Sequence, residues 1–353
     1  MRNASGDCAL RALRIARMSK VAVTGGAGFI GSHFIRKLLS VKEVQEVLVI
    51  DNLTYAGRIA NLFEFEKDPR FSFVKGDIRD SKIVNELIKE KNFVVNFAAE
   101  SHVDRSIADS SNFVSTNIVG THTLLEAVKK RTGIRYLQVS TDEVYGSIPI
   151  GHWTEDSPLL PNSPYSASKA SADLLVRAFN VTYGVDTVIT RCSNNFGSHQ
   201  FPEKLIPLSI IKLIKGKKIQ IYGNGLNVRD WLHVTDHCEG IYLALIKGKS
   251  GSVYNFGANA EKTNLDYNEE KYVANFNGIN SKIQFRPLRE QRDCISKSHT
   301  VSVLVKAEQQ IEKIAIWLIG DEDRQFIEYP IFRKPGYDWG LSFNNSRAYT
   351  GML

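Results

Sequence analysis

The chain has 353 residues, of which 43% are hydrophobic and 24% charged, a composition typical of a globular protein with a large core. The formal net charge of +7 is modest and its cations are scattered among carboxylates, which argues against a nucleic-acid-binding stripe. The four cysteines are widely spaced without a CxxC pair, which argues against a zinc site or a disulfide scaffold and favours a reducing cytoplasm.

The first seventeen residues contain four arginines and one aspartate, and an ordinary strand begins directly after Met18. We expect residues 1–19 to be a dispensable extension, with a targeting peptide as the alternative. No apolar run approaches the roughly eighteen residues that a membrane-spanning helix needs.

A glycine-rich turn follows the first predicted strand, residues 20–24, and opens a helix predicted near residues 29–39. Gly25, Gly28 and Gly31 would allow a tight turn, a close approach to a pyrophosphate and close packing of helix on strand. The N-terminal N–H groups of that helix would face the phosphates.

The next two predicted strands each end in an acid. Residues 47–50 are followed by Asp51, whose carboxylate would accept hydrogen bonds from ribose hydroxyls and repel a 2′-phosphate. Residues 71–74 are followed by Asp77, which is placed to meet the adenine amino group. The pattern therefore predicts a site for NAD rather than NADP.

The fourth predicted strand, residues 93–97, precedes Ala98 and Ala99, small side chains that leave room for a flat cofactor. His102 is either a polar wall of the site or a histidine near a helix. Residues 112–131 carry apolar side chains at helical spacing. Such repeated units predict an α/β fold with a doubly wound parallel sheet of Rossmann type, with ligands at the carboxyl ends of the strands.

The stretch from residue 136 to residue 169 concentrates reactive side chains. An apolar run ends in Thr141, Asp142 and Glu143, which places two acids at the tip of a buried strand. Tyr165 and Lys169 stand four residues apart in a predicted helix, residues 163–183, and project from one face. A phenol, an ammonium, a hydroxyl and two carboxylates suit the movement of protons and a hydride.

The character of the chain changes near Pro202, after the polar hinge of Asn194 and Asn195. We predict an NAD-binding Rossmann domain at residues 20–200 that carries the catalytic residues, and a smaller, mostly substrate-binding lobe at residues 201–353. In that lobe Lys204 and Arg229 are either phosphate-neutralising groups or surface cations.

Several motifs in order resemble the extended short-chain dehydrogenase/reductase family and, within it, the dTDP-glucose 4,6-dehydratases. They include TGGAGFIGSHF, DNLTYAG, NFAAESHVDRSI, STDEVYG, PYSASKASAD and RCSNNFGSHQFPEKLIPL. The resemblance covers roughly two-thirds of the chain, from Lys20 to about Asn264.

The resemblance implies roles for individual residues. Tyr165 and Lys169 would contact the nicotinamide and its ribose. The rest of the NAD site would be formed by Phe29, Ile30, Asp51, Asn52, Leu53, Thr54, Asp77, Ile78, Ala98, Ala99, Glu100, Ser101, Thr116 and Asn195. The sugar nucleotide would be held by His102, Thr141, Asn194, Lys204, Leu205, Gln220, Ile221, Tyr222, Arg229 and Asn264.

The expected reaction converts dTDP-glucose to dTDP-4-keto-6-deoxyglucose. Tyr165, with its pKa lowered by Lys169, would take the 4-hydroxyl proton while the C4 hydride passes to NAD. Glu143 would then remove the C5 proton and a protonated Asp142 would donate to the departing 6-hydroxyl, the pKa values of the two acids being pushed apart by repulsion and burial. Hydride return to C6 and proton return to C5 would complete the 4-keto-6-deoxy sugar and regenerate NAD, which stays bound.

The family pattern after Asn264 calls for a helix and then an arginine-bearing loop that grips the nucleotide. Here the closest match, residues 333–338, comes after a longer spacer, and a weaker candidate lies at residues 286–289. The alternatives are a UDP-sugar 4,6-dehydratase, a UDP-glucose 4-epimerase-like enzyme, or an NAD-binding protein inactivated by its divergent C-terminus. The helices predicted at residues 112–131 and 163–183 are long enough for a four-helix homodimer interface.

Overall fold

The computed structural model describes residues 20–148, 151–215 and 226–263, and beyond them the backbone of seven strands between residues 273 and 352. The N-terminal extension expected at residues 1–19 lies outside the described residues. Among the described helices, none is long and apolar enough to cross a bilayer.

Seven strands form a parallel central sheet: β1 (Lys20–Thr24), β2 (Glu46–Asp51), β3 (Phe71–Lys75), β4 (Phe93–Asn96), β5 (Arg135–Thr141), β6 (Asp186–Cys192) and β9 (Val253–Phe256). Their order across the sheet is β3-β2-β1-β4-β5-β6-β9, so the chain starts near the middle and winds outward in both directions. This arrangement confirms the predicted doubly wound α/β fold.

Helices cover both faces of the sheet. The helical segments are α1 (Phe29–Leu39), a 3₁₀ helix (Ile59–Phe65), α2 (Ser81–Leu87), α3 (Val103–Ala108), α4 (Ser111–Phe113), a π helix (Val114–Gly120), α5 (Thr121–Lys129), a 3₁₀ turn (Asp142–Tyr145), α6 (Pro164–Tyr183), α7 (Leu205–Ile214) and α8 (Val234–Lys247). Alternate residues of each strand pack in two separate hydrophobic cores, one on each face of the sheet, because successive side chains point to opposite faces. Val21 and Val23 pack in the core that includes α1 and α8, whereas Ala22 packs in the core that includes α5 and α6.

Helix α6 has defined signals at both ends. Ser163 accepts a hydrogen bond from the backbone N–H of Ser166, whose side chain in turn accepts from the Ser163 N–H, and Pro164 occupies the first turn. Gly184 ends the helix with φ of 68°, a left-handed conformation that glycine adopts without strain. The face of α6 that carries Tyr165 and Lys169 is therefore fixed in position along the helix.

The helix predicted at residues 112–131 is not a single α-helix. Its middle, Val114–Gly120, is a π helix between α4 and α5. Gly120 packs so closely on Ile78 that a Cβ would lie 2.4 Å from the Ile78 Cδ1 atom. The wider π turn brings Asn117, which is 2% exposed, to the inner side of the helix.

The structure divides into two compact units. The first contains residues up to Asn195 together with Val234–Phe256, and the second contains Phe196–His233 and the residues from Gly257 onward. The predicted domain boundary at residue 200 leaves α8 and β9 in the second lobe. In the structure they belong to the first unit, because β9 pairs with β6 and α8 packs in the core of the sheet.

The second unit contains α7 and strand β8 (Val228–His233), which pairs antiparallel with β10 (Glu261–Thr263). The short strand β7 (Asn194–Phe196) spans the change from one unit to the other. Seven further strands follow: β11 (Val273–Ala274), β12 (Ser281–Gln284), β13 (Val301–Ala307), β14 (Lys313–Ile319), β15 (Arg324–Pro330), β16 (Trp339–Asn344) and β17 (Arg347–Met352). The described elements after residue 263 are strands, in contrast to the helix that the family pattern predicts after Asn264.

Candidate active site

The glycine-rich turn between β1 and α1 is shaped by two close approaches. Gly25 has φ of 69°, and a Cβ there would lie 2.5 Å from the backbone nitrogen of Ala98. A Cβ on Gly31 would lie 2.4 Å from the carbonyl oxygen of Gly25. At Gly28 the nearest atom to an added Cβ is that same oxygen, at 3.2 Å. The fold therefore requires glycine at residues 25 and 31, whereas residue 28 tolerates a side chain far better within the protein itself.

Asp51 ends β2 beside this turn and is 8% exposed. Its Oδ2 accepts a hydrogen bond from the Ala27 N–H at 2.9 Å, and its Oδ1 accepts one from the Leu53 N–H at 2.8 Å. Burial raises the pKa of Asp51, and the two backbone hydrogen bonds oppose that rise. The carboxylate thus holds the loops on both sides of the predicted ribose position, and each oxygen retains acceptor capacity.

Asp77 follows β3 and lies in a cluster of polar side chains. Arg79 donates to its carboxylate at 2.6 Å, and Asn52 donates at 3.0 Å. The hydrogen bonds from Arg79 lower the pKa of Asp77, so this acid is held in its charged form. Ile78 is buried at 4% exposure in the same core as α5. Asn52 and Asp77, two residues of the predicted cofactor site, are therefore in direct contact.

Asn117 connects the loop after β4 to helix α6. Its Oδ1 accepts from the Glu100 N–H at 2.8 Å, and its Nδ2 donates to the Glu100 carbonyl at 3.0 Å and to Ser168 Oγ at 2.8 Å. Ser168 donates onward to the carbonyl of Tyr165 at 2.7 Å. Sequence reasoning missed this residue, although a buried-face asparagine beside Thr116 in an apolar helical pattern is a usable signal.

Tyr165 and Lys169 lie one turn apart on α6, as predicted. Lys169 is 5% exposed, and its Nζ donates to the carbonyl oxygen of Val139 in β5 at 2.7 Å. Burial lowers the pKa of Lys169, and the negative charge of Asp173, one turn further along, opposes that shift.

The pKa of the Tyr165 phenol is raised well above its ordinary value. Burial is the largest cause, and the carboxylates of Glu143 and Asp142 act in the same direction. The prediction that Lys169 lowers this pKa toward neutrality is therefore wrong for the structure described. The Lys169 ammonium is bonded to the β5 backbone, while the charges that shift the pKa of the phenol, those of Glu143 and Asp142 among them, are negative.

The turn that carries the two acids begins where β5 ends. Thr141 caps it by accepting from the Glu143 N–H at 3.3 Å, and the Thr141 hydroxyl lies 3.2 Å from Asp142 Oδ1. Val144 and Tyr145 are buried and anchor the turn, which leaves Asp142 and Glu143 half-buried. Because both carboxylates influence the Tyr165 phenol, the structure places the acids and the phenol in one neighbourhood.

Two further predicted site residues, His102 and Asn195, belong to the first unit. His102 has φ of 144° and ψ of 113°, a conformation strained for a histidine, and its ring nitrogen accepts from the Arg105 N–H at 3.4 Å to cap α3. Asn195 Oδ1 lies 2.8 Å from His237 Nδ1, and its Nδ2 donates to the Ser193 carbonyl at 3.0 Å. His237 is fully buried in α8, and sequence reasoning missed it.

Other predicted substrate residues lie in the second unit. Leu205 opens α7 and packs against the cluster of Phe196 and Trp231, and Lys204 directly precedes it. Arg229 lies in β8, paired with Lys262 of β10. Asn194 begins β7 and is half-buried. The remaining predicted residues, Gln220, Ile221, Tyr222 and Asn264, lie outside the described residues, as do the arginine-bearing segments 286–289 and 333–338.

The part of the chain that the structure describes has no cluster of three or more His, Cys, Asp or Glu side chains able to hold a metal ion. The chemistry available at this site is that of a phenol, an ammonium, two carboxylates and a threonine hydroxyl. All five lie at the carboxyl end of β5 or on the adjoining face of α6. This is the edge of a doubly wound sheet where ligands bind.

Comparison with known proteins gives consistent matches. A dTDP-glucose 4,6-dehydratase of Actinoplanes sp. is 53% identical over 255 residues, which cover 71% of this chain and 80% of that protein. The low-salt glycan biosynthesis protein Agl12 of Haloferax volcanii is 45% identical over 310 residues, covering 86% of this chain and 99% of that protein. The NAD-bound crystal structure of DesIV, a dTDP-glucose 4,6-dehydratase from Streptomyces venezuelae, superposes with a TM-score of 0.69 at 53% identity, covering 70% of this chain and 78% of that one.

The sequence model of the GDP-mannose 4,6 dehydratase family matches residues 22–313, which include the whole glycine-rich turn, the acid-bearing turn and the catalytic face of α6. Taken with the identity of these relatives, the match shows that the chain belongs to the GDP-mannose 4,6 dehydratase family.

Proposed function

We infer that the protein is an NAD-dependent dTDP-glucose 4,6-dehydratase that forms dTDP-4-keto-6-deoxyglucose. The observation that carries this inference is the adjacent pair Asp142 and Glu143 at the end of β5, close enough to Tyr165 to raise its pKa. Water loss from neighbouring carbons needs a base for one atom and an acid for the next, and two carboxylates in one turn can supply both.

The residues of the first unit fit NAD. Gly25 and Gly31 bring the backbone of the turn close to the start of α1, where the first N–H groups have no partner within the helix and can receive phosphate. Asp51 offers carboxylate oxygens at the end of β2, and its negative charge disfavours a 2′-phosphate. When bound, NAD supplies a hydride acceptor and donor and, in its oxidised form, a positive charge that favours the phenolate of Tyr165.

In this proposal the residues of the chain divide the proton movements. Tyr165 takes the proton of the 4-hydroxyl. Lys169 donates one of its three N–H groups to Val139, and the other two can donate to the cofactor ribose and to the Tyr165 phenol. Glu143 removes the proton from C5, and Asp142 protonates the leaving 6-hydroxyl. Thr141 orients the Asp142 carboxyl and hydrogen-bonds the sugar.

The direct test is incubation with dTDP-glucose, followed by detection of the alkaline chromophore of the 4-keto product, with UDP-glucose in a parallel reaction. We expect product from dTDP-glucose, and an absence of product from protein that has NAD bound would contradict the assignment. The double variant Asp142→Asn, Glu143→Gln serves as the control. If it keeps full turnover of a nucleotide sugar, the enzyme is an epimerase rather than a dehydratase.

We propose that the second unit contributes the nucleotide-binding side chains Lys204, Leu205 and Arg229. Both Lys204 and Arg229 are cations of the second unit, and they lie in the described residues between Asn195 and α8. Replacing either cation by methionine is expected to raise KM for dTDP-glucose while leaving NAD binding, measured by equilibrium dialysis, unchanged. Loss of NAD binding in either variant would assign the residue to the fold instead.

We propose that two copies of the chain associate through the π helix, α5 and α6. Helices α5 and α6 pack side by side, and five large apolar side chains on this region are 49% to 68% exposed: Val114, Val119, Leu174, Val181 and Tyr183. A second copy would bury them in a four-helix interface.

The cellular location is proposed from the cysteines. The unpaired thiols of Cys192 and Cys238 support a reducing, cytoplasmic location.

Light scattering after size-exclusion chromatography tests whether two copies associate through these helices. Leu174→Glu with Val181→Glu is expected to give monomers. Leu160→Glu changes a residue that is equally exposed, at 64%, but lies outside these helices, and it should leave the dimer intact. A dimer in all three proteins would place the interface elsewhere.

A further inference from the structure

Arg191, at the end of β6, is a buried cation to which the reaction above assigns no part. It is 5% exposed, its Nε donates to Asp173 Oδ2 at 2.9 Å, and its Nη1 donates to the hydroxyl of Tyr145 at 2.8 Å. The guanidinium also lies 4.8 Å from the centre of the Tyr145 ring. One planar group therefore joins two structural elements, with donors directed at each.

The two partners of Arg191 belong to the two halves of the active site. Asp173 lies on α6, four residues after Lys169 and eight after Tyr165, on the same face of the helix. Tyr145 is the last residue of the turn that carries Asp142 and Glu143. The bonds from Arg191 thus run from the helix of the phenol and ammonium to the turn of the two carboxylates.

Tyr145, the last residue of the turn, has further contacts besides Arg191. The Tyr145 hydroxyl donates to Asn255 Oδ1 at 2.8 Å, and the Asn255 N–H donates to Glu155 at 2.9 Å. The ring of Trp153 stacks on that of Tyr145, with 5.9 Å between centroids and 11° between planes. The Tyr145 hydroxyl is therefore both an acceptor from Arg191 and a donor to β9, so its position is determined from two sides.

A stabilising role alone does not account for this arrangement well. A buried ion pair such as Arg191 and Asp173 is a weak source of stability, since desolvation offsets most of the attraction. A rigid fork of donors does, however, determine geometry. Elimination requires Asp142 and Glu143 to face C6 and C5 of one sugar, and small displacements of such groups are costly.

We propose that Arg191 and Tyr145 are positioning residues for the elimination step, setting the acid-bearing turn against the Tyr165 and Lys169 face of α6. This inference rests on the proposed dehydratase function. The proposed role distinguishes two stages of the reaction. Oxidation at C4 depends on α6 and the cofactor, whereas elimination depends also on the location of the acid-bearing turn. Loss of the Tyr145 hydroxyl should therefore slow the second stage and spare the first.

The test compares Tyr145→Phe with Tyr136→Phe. Tyr136 is a matched control because it is also a buried tyrosine of this part of the chain, with its hydroxyl bonded to Gln138 in the sheet rather than to the site. Mixing each protein with dTDP-glucose and following reduced-nicotinamide absorbance reports oxidation. Incorporation of solvent deuterium at C5 and formation of the 4-keto product report elimination.

For Tyr145→Phe we expect elimination to slow about tenfold to a hundredfold while the oxidation rate is unchanged, so that reduced cofactor accumulates. Tyr136→Phe should alter neither rate. Equal losses in both stages, or no loss in either, would overturn the proposal. Arg191→Lys, which keeps the charge but not the fork, should reproduce the selective loss and serves if Tyr145→Phe does not fold. A wild-type protein that shows no absorbance change with any nucleotide sugar would instead refute the proposed function.

Discussion

The ammonium of Lys169 donates a hydrogen bond to the carbonyl oxygen of Val139 at 2.7 Å, joining helix α6 to strand β5 two residues before the acid-bearing turn begins with its cap, Thr141. The contact is buried, so the cation has exchanged water for one backbone acceptor. Its desolvation lowers the pKa of Lys169. A cation kept in such a place costs stability, which is consistent with a catalytic rather than a structural role.

Lys169→Met should therefore separate activity from stability. Losing the donor removes a charge-assisted hydrogen bond to the Val139 carbonyl, at a cost of about 1–3 kcal/mol. Removing the buried charge also removes its unfavourable desolvation, which compensates for a similar amount. We expect the free energy of unfolding to change by less than about 1 kcal/mol, while C4 oxidation slows by about 10²–10⁴-fold. Urea denaturation and reduced-nicotinamide absorbance measure the two effects. Lys20→Met, which breaks an exposed pair with Glu90 away from the site, is the control and should alter neither.

The pH dependence of C4 oxidation should report the raised pKa of Tyr165. Because the base must be deprotonated and its pKa lies above the ordinary value, the oxidation rate should rise with pH through the neutral range, about tenfold per unit. Glu143 is the largest charged contributor, so Glu143→Gln should lower that pKa and move the rising limb to lower pH. Asp142→Asn should move it less. A profile that is the same in all three proteins would exclude these carboxylates as the cause.

Two glycines of the same turn should respond differently to alanine. At Gly31 a Cβ would meet a backbone oxygen at 2.4 Å, so Gly31→Ala is expected to destabilise the protein by about 1–3 kcal/mol. At Gly28 the closest contact is 3.2 Å, so Gly28→Ala should keep the thermal midpoint within a few degrees and lose most of its NAD affinity. Thermal unfolding and equilibrium dialysis with NAD provide the comparison. Equal NAD affinity in wild type and Gly28→Ala would argue against pyrophosphate at this turn.

The sequence predicted those features that follow from hydrophobic pattern and from glycine. Helix α1 has the predicted bounds, and the predicted strands differ from the observed ones by a few residues at most. The sequence pattern did not predict contacts between polar groups that are distant in the chain. Arg191 meets Tyr145 across 46 residues, and Asn117 meets Ser168 across 51. The sign of the pKa shift of Tyr165 was missed for the same reason, because it depends on which charges the fold brings near the phenol and how deeply it is buried.

His237 should make the protein sensitive to acid. It is fully buried, and burial lowers its pKa from 6.5 to about 3, so between these values the unfolded chain binds a proton that the folded protein does not. The free energy of unfolding should therefore fall as the pH drops through this range, by up to about 1.4 kcal/mol per unit. The contribution is fully present above the unfolded pKa and is lost as pH falls toward the folded one.

His237→Gln replaces the ring by an amide that can still bond Asn195 but does not titrate. Urea midpoints measured at pH 7 and pH 5 should differ less in this variant than in the wild type, with NAD affinity at pH 7 retained if the amide holds Asn195 in place. His122→Gln changes an exposed histidine of α5 and should leave the wild-type acid sensitivity intact. If the buried and the exposed variant show the same difference between the two pH values, the acid sensitivity arises from other groups, and the bond to Asn195 serves only to pack α8 on the sheet.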